Sequence, residues 1–313
     1  MEMRFWTMER LNPALSTDCM TSHQHSDHQP SEDLILITGG TGKTGRRIAD
    51  RLAARGRSIR IGSRAGSPAF DWDEPAGWAA ALRGVRAAYL SYYPDIAVPG
   101  ADRTISAFAV AAVEAGVRRL VLLSGRGEPA ATEVERAERV VQSAGAEWTV
   151  LRCSWFNQNF SEGYLLEPIL DGRVELPAGS VAEPFVDADD IADVAVAALI
   201  DDRHAGRLYE LTGPRLLSFA DAVAEIGRAC GRSIQYVPLS VPEYAAGLTA
   251  QGVPDAVVEL LSYLFTEVLD GRNAQLTDGV RRALGRAPRD FRDFARTVAA
   301  SGAWQRVPVV TQQ

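Results

Sequence analysis

The residues most suggestive of chemistry form a glycine-rich segment, Thr-Gly-Gly-Thr-Gly-Lys-Thr-Gly, at positions 38–45. The apolar run 34–37 directly precedes this segment, and a helical pattern covers residues 43–55. Glycines between a strand and a helix permit a tight turn, let the backbone approach a diphosphate and bring helix and strand close together. The amino end of the helix offers unpaired N–H groups to such an anion. The segment therefore predicts a dinucleotide site formed by Gly39, Thr41, Gly42, Lys43, Thr44 and Gly45.

A different phosphate-binding loop and a purely structural turn are the alternatives. Gly42-Lys43-Thr44 matches the end of the loop found in nucleoside triphosphatases, but the first glycine of that loop would fall on Ile37, inside the strand. This mismatch disfavours a nucleoside triphosphatase. A glycine-rich turn that binds no ligand stays open.

The end of the second predicted strand, residues 58–62, bears on which dinucleotide binds. An acidic residue there would accept hydrogen bonds from the adenosine ribose of NAD and repel a 2′-phosphate. The sequence instead continues with Ser63 and Arg64, a hydroxyl and a planar cation that suit a 2′-phosphate, and Lys43 adds charge. NADP(H) is therefore predicted in preference to NAD(H). A solvated surface arginine is the alternative interpretation of Arg64.

Further polar and aromatic side chains follow the later strands. If the strand 87–90 keeps its period of two, Tyr89, Ser91 and Tyr93 share one face. Tyr93 then reaches the carboxyl edge of the sheet, where open α/β sheets bind ligands. It is a candidate for the substrate site and a weaker one for proton donation, with an aromatic wall as the alternative. Ser124, after the strand 120–123, either hydrogen-bonds a ligand or only caps a turn.

Amides and aromatic rings alternate where the regular succession of strands and helices ends. Residues 155–160 place three amide side chains among three aromatic rings. Apolar walls with a few polar groups are typical of a small-molecule pocket. We therefore predict a substrate pocket formed by Tyr93, Trp155, Phe156, Asn157, Asn159 and Phe160, with a packed domain junction as the alternative.

These residues need a scaffold that brings the ends of several strands together. Strand patterns at 34–37, 58–62, 87–90, 120–123 and 148–151 alternate with helical patterns at 43–55, 75–82, 101–115 and 133–143. This alternation predicts a Rossmann-type, doubly wound parallel sheet of the α/β class. A later helical pattern at 189–199 is expected to pack on the sheet. Helical patterns at 218–230, 253–269, 278–284 and 289–300 predict a smaller, mainly helical carboxy-terminal lobe for the substrate.

The predicted elements divide the chain into three parts. Residues 1–33 lack hydrophobic periodicity and are expected to form a mostly disordered tail. Residues 34–152 form the predicted NADP-binding core. Residues 153–313 form mainly the substrate lobe, from which segment 183–212 is expected to return to the core.

Composition excludes several classes of protein. The 313 residues carry 33 Lys+Arg and 40 Asp+Glu, a net charge of −7, and no basic block that would neutralise the phosphates of a nucleic acid. Three widely spaced cysteines, Cys19, Cys153 and Cys230, argue against a disulfide framework or a thiolate zinc site. No apolar run approaches the roughly 20 residues of a membrane helix. We expect a cytoplasmic protein without nucleic-acid or membrane partners.

Two clusters have the composition of metal sites. Histidines at positions 23, 25 and 28 lie in the tail without a carboxylate or thiolate framework. Aspartates at positions 187, 189 and 190 precede a helix, where acids favour the amino end. A solvated tail and a helix cap explain them better, so no metal is predicted.

Several segments together resemble the NmrA-like family of atypical short-chain dehydrogenases/reductases, over about residues 34–304. Besides positions 38–45, they are Trp-Ala-Ala-Ala-Leu-Arg-Gly-Val at 78–85, Arg-Arg-Leu-Val-Leu-Leu-Ser at 118–124, Glu-Trp-Thr-Val-Leu-Arg at 147–152, Ser-Trp-Phe-Asn-Gln-Asn-Phe at 154–160, Phe-Val-Asp-Ala-Asp-Asp-Ile-Ala at 185–192 and Tyr-Glu-Leu-Thr-Gly-Pro at 209–214. These matches are specific for the family but not for one activity.

The resemblance implies a set of ligand contacts. It implies that the segment 38–45 holds the diphosphate, that Ser63 and Arg64 hold the adenosine end, and that residues 155–160 face the substrate. The remaining implied contacts are Asp71 and Trp72 beside the adenine, and Ser91, Tyr92, Tyr93, Ser124 and Gly125 on the nicotinamide side.

The family includes quinone, triphenylmethane-dye and iminium reductases, and regulators that bind NADP without turning it over. Ordinary short-chain dehydrogenases pass a proton through a Tyr-x-x-x-Lys pair, but residues 130–139 contain neither tyrosine nor lysine. The favoured hypothesis is an NADPH-dependent reductase that delivers hydride to a small conjugated electrophile such as a quinone or iminium compound. The alternative is a redox sensor that binds NADP(H) and acts through a protein partner. A homodimer is compatible with either.

Overall fold

The computed structural model describes residues 33–127 and 132–306. The strands are β1 (Leu34–Thr38), β2 (Ile59–Gly62), β3 (Val85–Leu90), β4 (Arg119–Gly125), β5 (Glu147–Cys153), β6 (Arg173–Leu176), β7 (Ala182–Glu183), β8 (Arg207–Leu211), β9 (Leu217–Ser218) and β10 (Gln235–Pro238). The α-helices are α1 (Gly45–Ala53), α2 (Trp78–Leu82), α3 (Ala101–Glu114), α4 (Glu133–Ser143), α5 (Asn159–Glu162), α6 (Leu166–Asp171), α7 (Ala188–Ile200), α8 (Phe219–Cys230), α9 (Val241–Ala250), α10 (Asp255–Tyr263), α11 (Gly279–Leu284) and α12 (Phe291–Ser301).

Six strands form one parallel sheet in the order β2-β1-β3-β4-β5-β8. The central strands are almost continuously buried, as expected for a parallel sheet covered on both faces. Helices α1, α7 and α11 pack on one face, and α2, α3 and α4 pack on the other. The sheet grows outward in opposite directions from β1 and β3. This arrangement confirms the predicted Rossmann-type fold.

The remaining helices and two short sheets build a lobe with its own core. Strand β6 pairs with β10, and β7 pairs with β9. The largest buried side chains of the lobe are aromatic, and they are Phe160, Phe185, Phe219, Phe291 and Trp304. Their rings meet mostly edge to face, as between Phe185 and Phe219 with centroids 5.0 Å apart. The lobe is mainly helical, as predicted.

Segment 183–212 runs from the lobe back to the sheet. Its helix α7 packs against α1, and its strand β8 pairs with β5 at the edge of the sheet. The apolar residues Ile191, Val194 and Ala198 of α7 are fully buried in this contact. The segment therefore covers one face of the sheet and connects it directly to the lobe.

Arginines along the outer face of α1 bind carboxylates of the lobe and of α7. Arg47 pairs with Glu162 at the end of α5, with 2.7 Å between NH2 and Oε1. One turn later, Arg51 donates to Asp189 at 2.5 Å and to Asp193 at 2.7 Å, both on α7. We call these contacts the α1 arginine pairs.

Some predictions fall outside the described residues. Residues 1–32, with the histidines at 23, 25 and 28, precede the described chain, and residues 128–131 interrupt it. Within residues 33–127 and 132–306, no helix has the length and apolar character of a membrane span. The same ranges contain no group of three histidine, cysteine or acidic side chains arranged to hold a metal ion.

Candidate functional site

The candidate site lies at the carboxyl edge of the sheet, where the loops after five parallel strands meet. The crevice between β1 and β3 is the topological switch point, the usual ligand position in open parallel sheets. The Thr38 hydroxyl donates to the Tyr89 carbonyl at 3.0 Å and accepts from the Ser91 N–H at 2.8 Å. These bonds hold the ends of β1 and β3 together below the crevice.

Two glycines of the loop allow its backbone to fold tightly against the sheet. A Cβ at Gly45 would lie 2.2 Å from the Gly39 carbonyl oxygen, so only glycine lets α1 begin this close to β1. Gly39 has a φ of +61°, a conformation that L side chains rarely adopt, and a Cβ there would lie 3.3 Å from Ser91. The Gly42 N–H closes the turn on the Gly39 carbonyl at 2.9 Å. The loop therefore has the compact geometry that its sequence predicts.

The amino end of α1 is not capped by the side chain at its cap position. Thr44 occupies that position, but its hydroxyl accepts a hydrogen bond from the Tyr89 hydroxyl at 3.0 Å and makes no capping bond. The first turn of α1 also contains no acidic residue. Because first-turn N–H groups have no acceptor within their own helix, this end is suited to an anion such as a diphosphate.

The residues predicted to select the dinucleotide follow β2. Ser63 is half-buried, Arg64 is exposed, and the Arg64 guanidinium lies over the Tyr93 ring, 5.6 Å from its centroid. Tyr93 is 67% exposed. The structure thus brings Tyr93 next to Arg64, although the sequence predicted it for the substrate pocket. The pair presents a planar cation and an aromatic face at the β2 end of the site.

The sequence predicted that Trp72 contacts the adenine, but the structure places its side chain in the core. Its indole is only 5% exposed and belongs to the core between the sheet and α2 and α3. Its Nε1 donates to the Ser91 carbonyl at 3.0 Å, and its ring lies 5.1 Å from that of Tyr92. A large apolar ring is stabilised by burial, so this side chain supports the loop after β3 from below. Asp71 is half-buried, and its carbonyl accepts from Trp78 at 2.8 Å.

Ser124, for which the sequence leaves a ligand contact and a turn cap open, has a side-chain partner inside the protein. Its hydroxyl donates to Glu138 on α4 at 2.6 Å, and Arg152 donates to the same carboxylate at 2.8 and 2.6 Å. Both Ser124 and Glu138 are buried. The hydroxyl hydrogen is therefore committed to a paired carboxylate. Gly125 ends β4 in register with Cys153 of β5.

Lys43 extends from the glycine loop toward the lobe. Its Nζ donates to the Asn159 side-chain carbonyl at 3.0 Å. Burial lowers the pKa of the Lys43 ammonium group, while the nearby Glu162 acts in the opposite direction. Lys43 was predicted for the cofactor and Asn159 for the substrate. In the structure they are partners at the boundary between core and lobe.

Two segments, residues 154–158 and 183–187, run side by side between the core and the lobe; we call them the junction. The Val186 N–H donates to the Trp155 carbonyl, and the Asn157 N–H donates to the Val186 carbonyl, both at 2.9 Å. Asp187 caps α7 by accepting from a first-turn N–H at 2.8 Å, and also accepts from Gln158 at 2.9 Å. The aspartate cluster at this position therefore caps a helix, as predicted.

Two residues predicted for the substrate pocket are instead packed inside the protein. Asn157 is fully buried, with its amide nitrogen 3.4 Å from Asp187. Phe160 is fully buried in the aromatic core of the lobe. Phe160 fills the interior of the lobe, whereas the Asn157 side-chain oxygen is buried without a hydrogen-bond partner within the described residues. Trp155 and Phe156 are half-buried.

Sequence reasoning did not identify one acidic side chain of the junction. Glu183 is 1% exposed, and its Oε2 accepts from the Ser154 hydroxyl at 3.0 Å. Its Oε1 is buried and has no hydrogen-bond partner within the described residues. Burial raises the pKa of the Glu183 carboxyl to about 7, although the Ser154 hydrogen bond opposes this shift. In the sequence, the only signal for this site is a single acidic residue between Ala182 and Pro184.

The residues at the β1–β3 crevice fit a nicotinamide dinucleotide. Gly39 and Gly45 let the loop fold tightly between β1 and α1, and the uncapped end of α1 supplies N–H donors for a diphosphate. Arg64 offers a cation for an adenosine phosphate.

Known proteins of similar sequence are consistent with this geometry. Residues 39–202 match a family described as NAD(P)H-binding. The uncharacterised oxidoreductase YesF of Bacillus subtilis is 35% identical, over 85% of this chain and 95% of its own length. The NAD(P)H azoreductase of Xenophilus azovorans is 29% identical, over 86% of this chain and 99% of its own length.

Solved structures share the fold at lower sequence identity. The NADPH-dependent quinone oxidoreductase QOR2 of Escherichia coli, complexed with NADPH, has a TM-score of 0.67 and 22% identity, and covers 84% of this chain and 99% of its own. The triphenylmethane reductase of Citrobacter sp., complexed with NADP(H), has a TM-score of 0.65 and 18% identity, with coverages of 84% and 99%. A mutant NmrA has a TM-score of 0.61 and 18% identity, with coverages of 86% and 96%.

Proposed function

Because the chain belongs to the NAD(P)H-binding family of NmrA-like oxidoreductases, we propose that it is an NADPH-dependent reductase of small conjugated electrophiles. The proposed acceptors are azo compounds, quinones and iminium compounds. The observation that carries the proposal is the compact loop of Gly39 and Gly45 at the uncapped start of α1. When bound, NADPH supplies hydride to the acceptor.

The preference for NADPH over NADH rests on the end of β2. Arg64 and Ser63 offer a guanidinium and a hydroxyl at the position where NAD-binding proteins carry an acid. Arg64 already lies over the Tyr93 ring, which orients its planar group before a phosphate arrives. A charged hydrogen bond of this kind contributes about 1.5–3 kcal/mol, enough for a tenfold preference or more.

The acceptor class follows from the groups that the site offers. Helix α4 contains neither tyrosine nor lysine, so the usual proton relay of short-chain dehydrogenases is missing from it. Trp155 and Phe156, two half-buried aromatic residues of the junction, are the candidates for an apolar wall beside the acceptor. An acceptor that is reduced readily once it is held against the cofactor matches this arrangement, because positioning then supplies most of the rate.

The decisive experiment combines binding with turnover. Titration with NADPH and NADH, followed by calorimetry and nicotinamide fluorescence, is expected to show tighter binding of NADPH. Oxidation of NADPH is then followed with an azo dye, a naphthoquinone and a cationic triphenylmethane dye, and at least one is expected to be reduced. A folded protein that binds neither cofactor contradicts the proposal. Tight NADPH binding without turnover of any acceptor favours the redox sensor instead.

A further inference from the structure

The Glu183 carboxyl is buried in a way that structural packing alone does not explain. A buried polar atom without a hydrogen bond costs free energy, and such atoms are rare in native proteins. Glu183 Oε1 is such an atom, because it has no hydrogen-bond partner within the described residues. Oε2 has one partner, the Ser154 hydroxyl at 3.0 Å. An apolar side chain would occupy the same space without this cost. A buried acid with one unpartnered oxygen is, however, suited to handling a proton.

The pair lies at the ligand edge of the sheet. Ser154 directly follows β5, and its N–H donates to the carbonyl of Leu211 at the end of β8. The adjacent residue, Cys153, is in register with Gly125 at the end of β4. The Ser154 hydroxyl is therefore next to the loops that the dinucleotide site uses, and beside the half-buried Trp155.

Two charged groups act on Glu183 from the surrounding elements, and they oppose each other. Arg126, after β4, lowers the pKa of Glu183, and Asp270, in the loop before α11, raises it. The Arg126 guanidinium is already engaged, since it donates to the carbonyls of Asn273 at 2.8 Å and Gln275 at 3.0 Å. Burial therefore prevails, and the neutral acid persists to near pH 7.

We propose that the Ser154–Glu183 pair donates the proton that a neutral acceptor takes up together with a hydride. Ser154 is the catalytic residue of this pair, and Glu183 is the positioning residue that resupplies its proton. This inference rests on the proposed function, because it concerns acceptors of that reductase. It replaces the missing tyrosine–lysine relay with a carboxylic acid that hydrogen-bonds the residue directly after β5.

The proton step balances for an azo acceptor. One nitrogen of the N=N bond takes the hydride, and with it two electrons. The other nitrogen takes the Ser154 hydroxyl proton, so a new N–H bond forms as the O–H bond breaks. For this step the Ser154 hydroxyl turns from Glu183 Oε2 to the acceptor nitrogen, and the neutral Glu183 carboxyl then donates its proton to the Ser154 oxygen. The carboxylate that remains regains a proton from the solvent. The product is the hydrazine, and NADPH leaves as NADP⁺.

A cationic triphenylmethane dye provides the matched control, because its central carbon takes a hydride alone and needs no proton. Glu183→Gln and Ser154→Ala are each expected to slow reduction of a neutral azo dye at least tenfold, within the usual range for general acids. The same variants should reduce the cationic dye within about twofold of the wild-type rate. With the azo dye, the wild-type rate should fall as pH rises above about 7. The residual rate of Glu183→Gln should not follow that titration.

A measurement without cofactor tests the proton-holding group itself. In protein labelled with ¹³C at glutamate carboxyls, one resonance should titrate near pH 7 and be missing from Glu183→Gln. Equal losses with both dyes, or a wild-type enzyme that reduces the cationic dye but no azo dye, would overturn the inference and leave the reductase in place. Failure with every acceptor would overturn the proposed function, and the inference with it.

Discussion

The glycine loop and the junction lie at the same edge of the sheet, but they are built from contacts of different range. Gly39 and Gly45 belong to one continuous loop and meet through backbone atoms. Ser154 and Glu183 are 29 positions apart, and Lys43 and Asn159 are 116 apart; both pairs meet through side chains. The loop is thus defined by one segment, whereas the junction forms only when the lobe packs against the core.

This difference in construction predicts two different vulnerabilities. The loop depends on the absence of side-chain atoms, so an added methyl group disrupts it by steric overlap. The junction depends on the neutrality of a buried acid, so ionisation of that acid destabilises it. Substitutions in each region should therefore respond to different variables, namely atomic volume in the loop and pH in the junction.

The largest effect is expected from Gly45→Ala. The new Cβ would lie 2.2 Å from the Gly39 carbonyl, so α1 must move away from β1. We expect a loss of more than about 3 kcal/mol in the free energy of unfolding and a rise of about a hundredfold in the Kd for NADPH. Urea unfolding and calorimetry measure these changes. Gly247→Ala, in α9 with open space around its position, is the control and should be neutral or slightly stabilising. Equal behaviour of both variants would contradict the steric account.

A smaller effect, dependent on pH, is expected from Glu183→Gln. The pKa of Glu183 is about 7 in the folded protein and 4.5 for the free side chain. Below about pH 4.5 the acid is neutral in both states. As pH rises from 4.5 to 7, only the unfolded state loses its proton, so wild-type stability falls, by up to about 3 kcal/mol.

The variant lacks this loss, so its stability relative to wild type should increase across that interval and stay constant above it. Urea unfolding at pH 5 and pH 8 measures the difference. Glu259→Gln, an exposed position in α10, is the control and should show no such trend. A variant that is equally destabilised at both pH values would argue against a neutral buried acid.

Arg64→Ala should have a smaller effect that distinguishes the two cofactors. Loss of the guanidinium that lies over Tyr93 should raise the Kd for NADPH about tenfold and leave the Kd for NADH nearly unchanged. Arg296→Ala, an exposed arginine on α12, serves as the control. Equal weakening of both cofactors would show that Arg64 does not contact a 2′-phosphate.

The smallest effect is expected from deletion of residues 1–30. Neither the loop nor the junction contains a residue of this segment, so the melting temperature and the Kd for NADPH should be unchanged. Differential scanning calorimetry and cofactor titration test this. A clear fall in the melting temperature or a clear rise in the Kd for NADPH would show that residues 1–30 contribute to stability or to cofactor binding.

The parts of the site that sequence could predict are those fixed by local geometry. The glycine loop and helix α4, which covers Glu133–Ser143 as predicted, depend on neighbouring residues. Trp72 and Phe160 were misassigned because an aromatic residue in a motif gives the same sequence signal whether it faces a ligand or the core. Their burial depends on helices far away in the chain.

Short elements paired over long distances were beyond the same reasoning. Strands β6 and β10 have four residues each and pair across some 60 positions, so neither has a periodicity that stands out. The predicted helix 253–269 is instead α10 followed by a wider helical turn at Leu264–Val268. The environment of Glu183 could not be predicted for the same reason, because its hydrogen-bond partner Ser154 comes near it only in the folded chain.

The α1 arginine pairs have a consequence for the thermodynamics of ligand association. Because Arg47 and Arg51 bind Glu162 and Asp189, the helix whose amino end we propose for the diphosphate has a set distance from the lobe before any ligand arrives. The entropy of bringing the two halves together is therefore lost during folding, and less remains to be lost on association. Since these pairs are partly exposed, concentrated salt would weaken them and make the cleft looser and its ligands more weakly held.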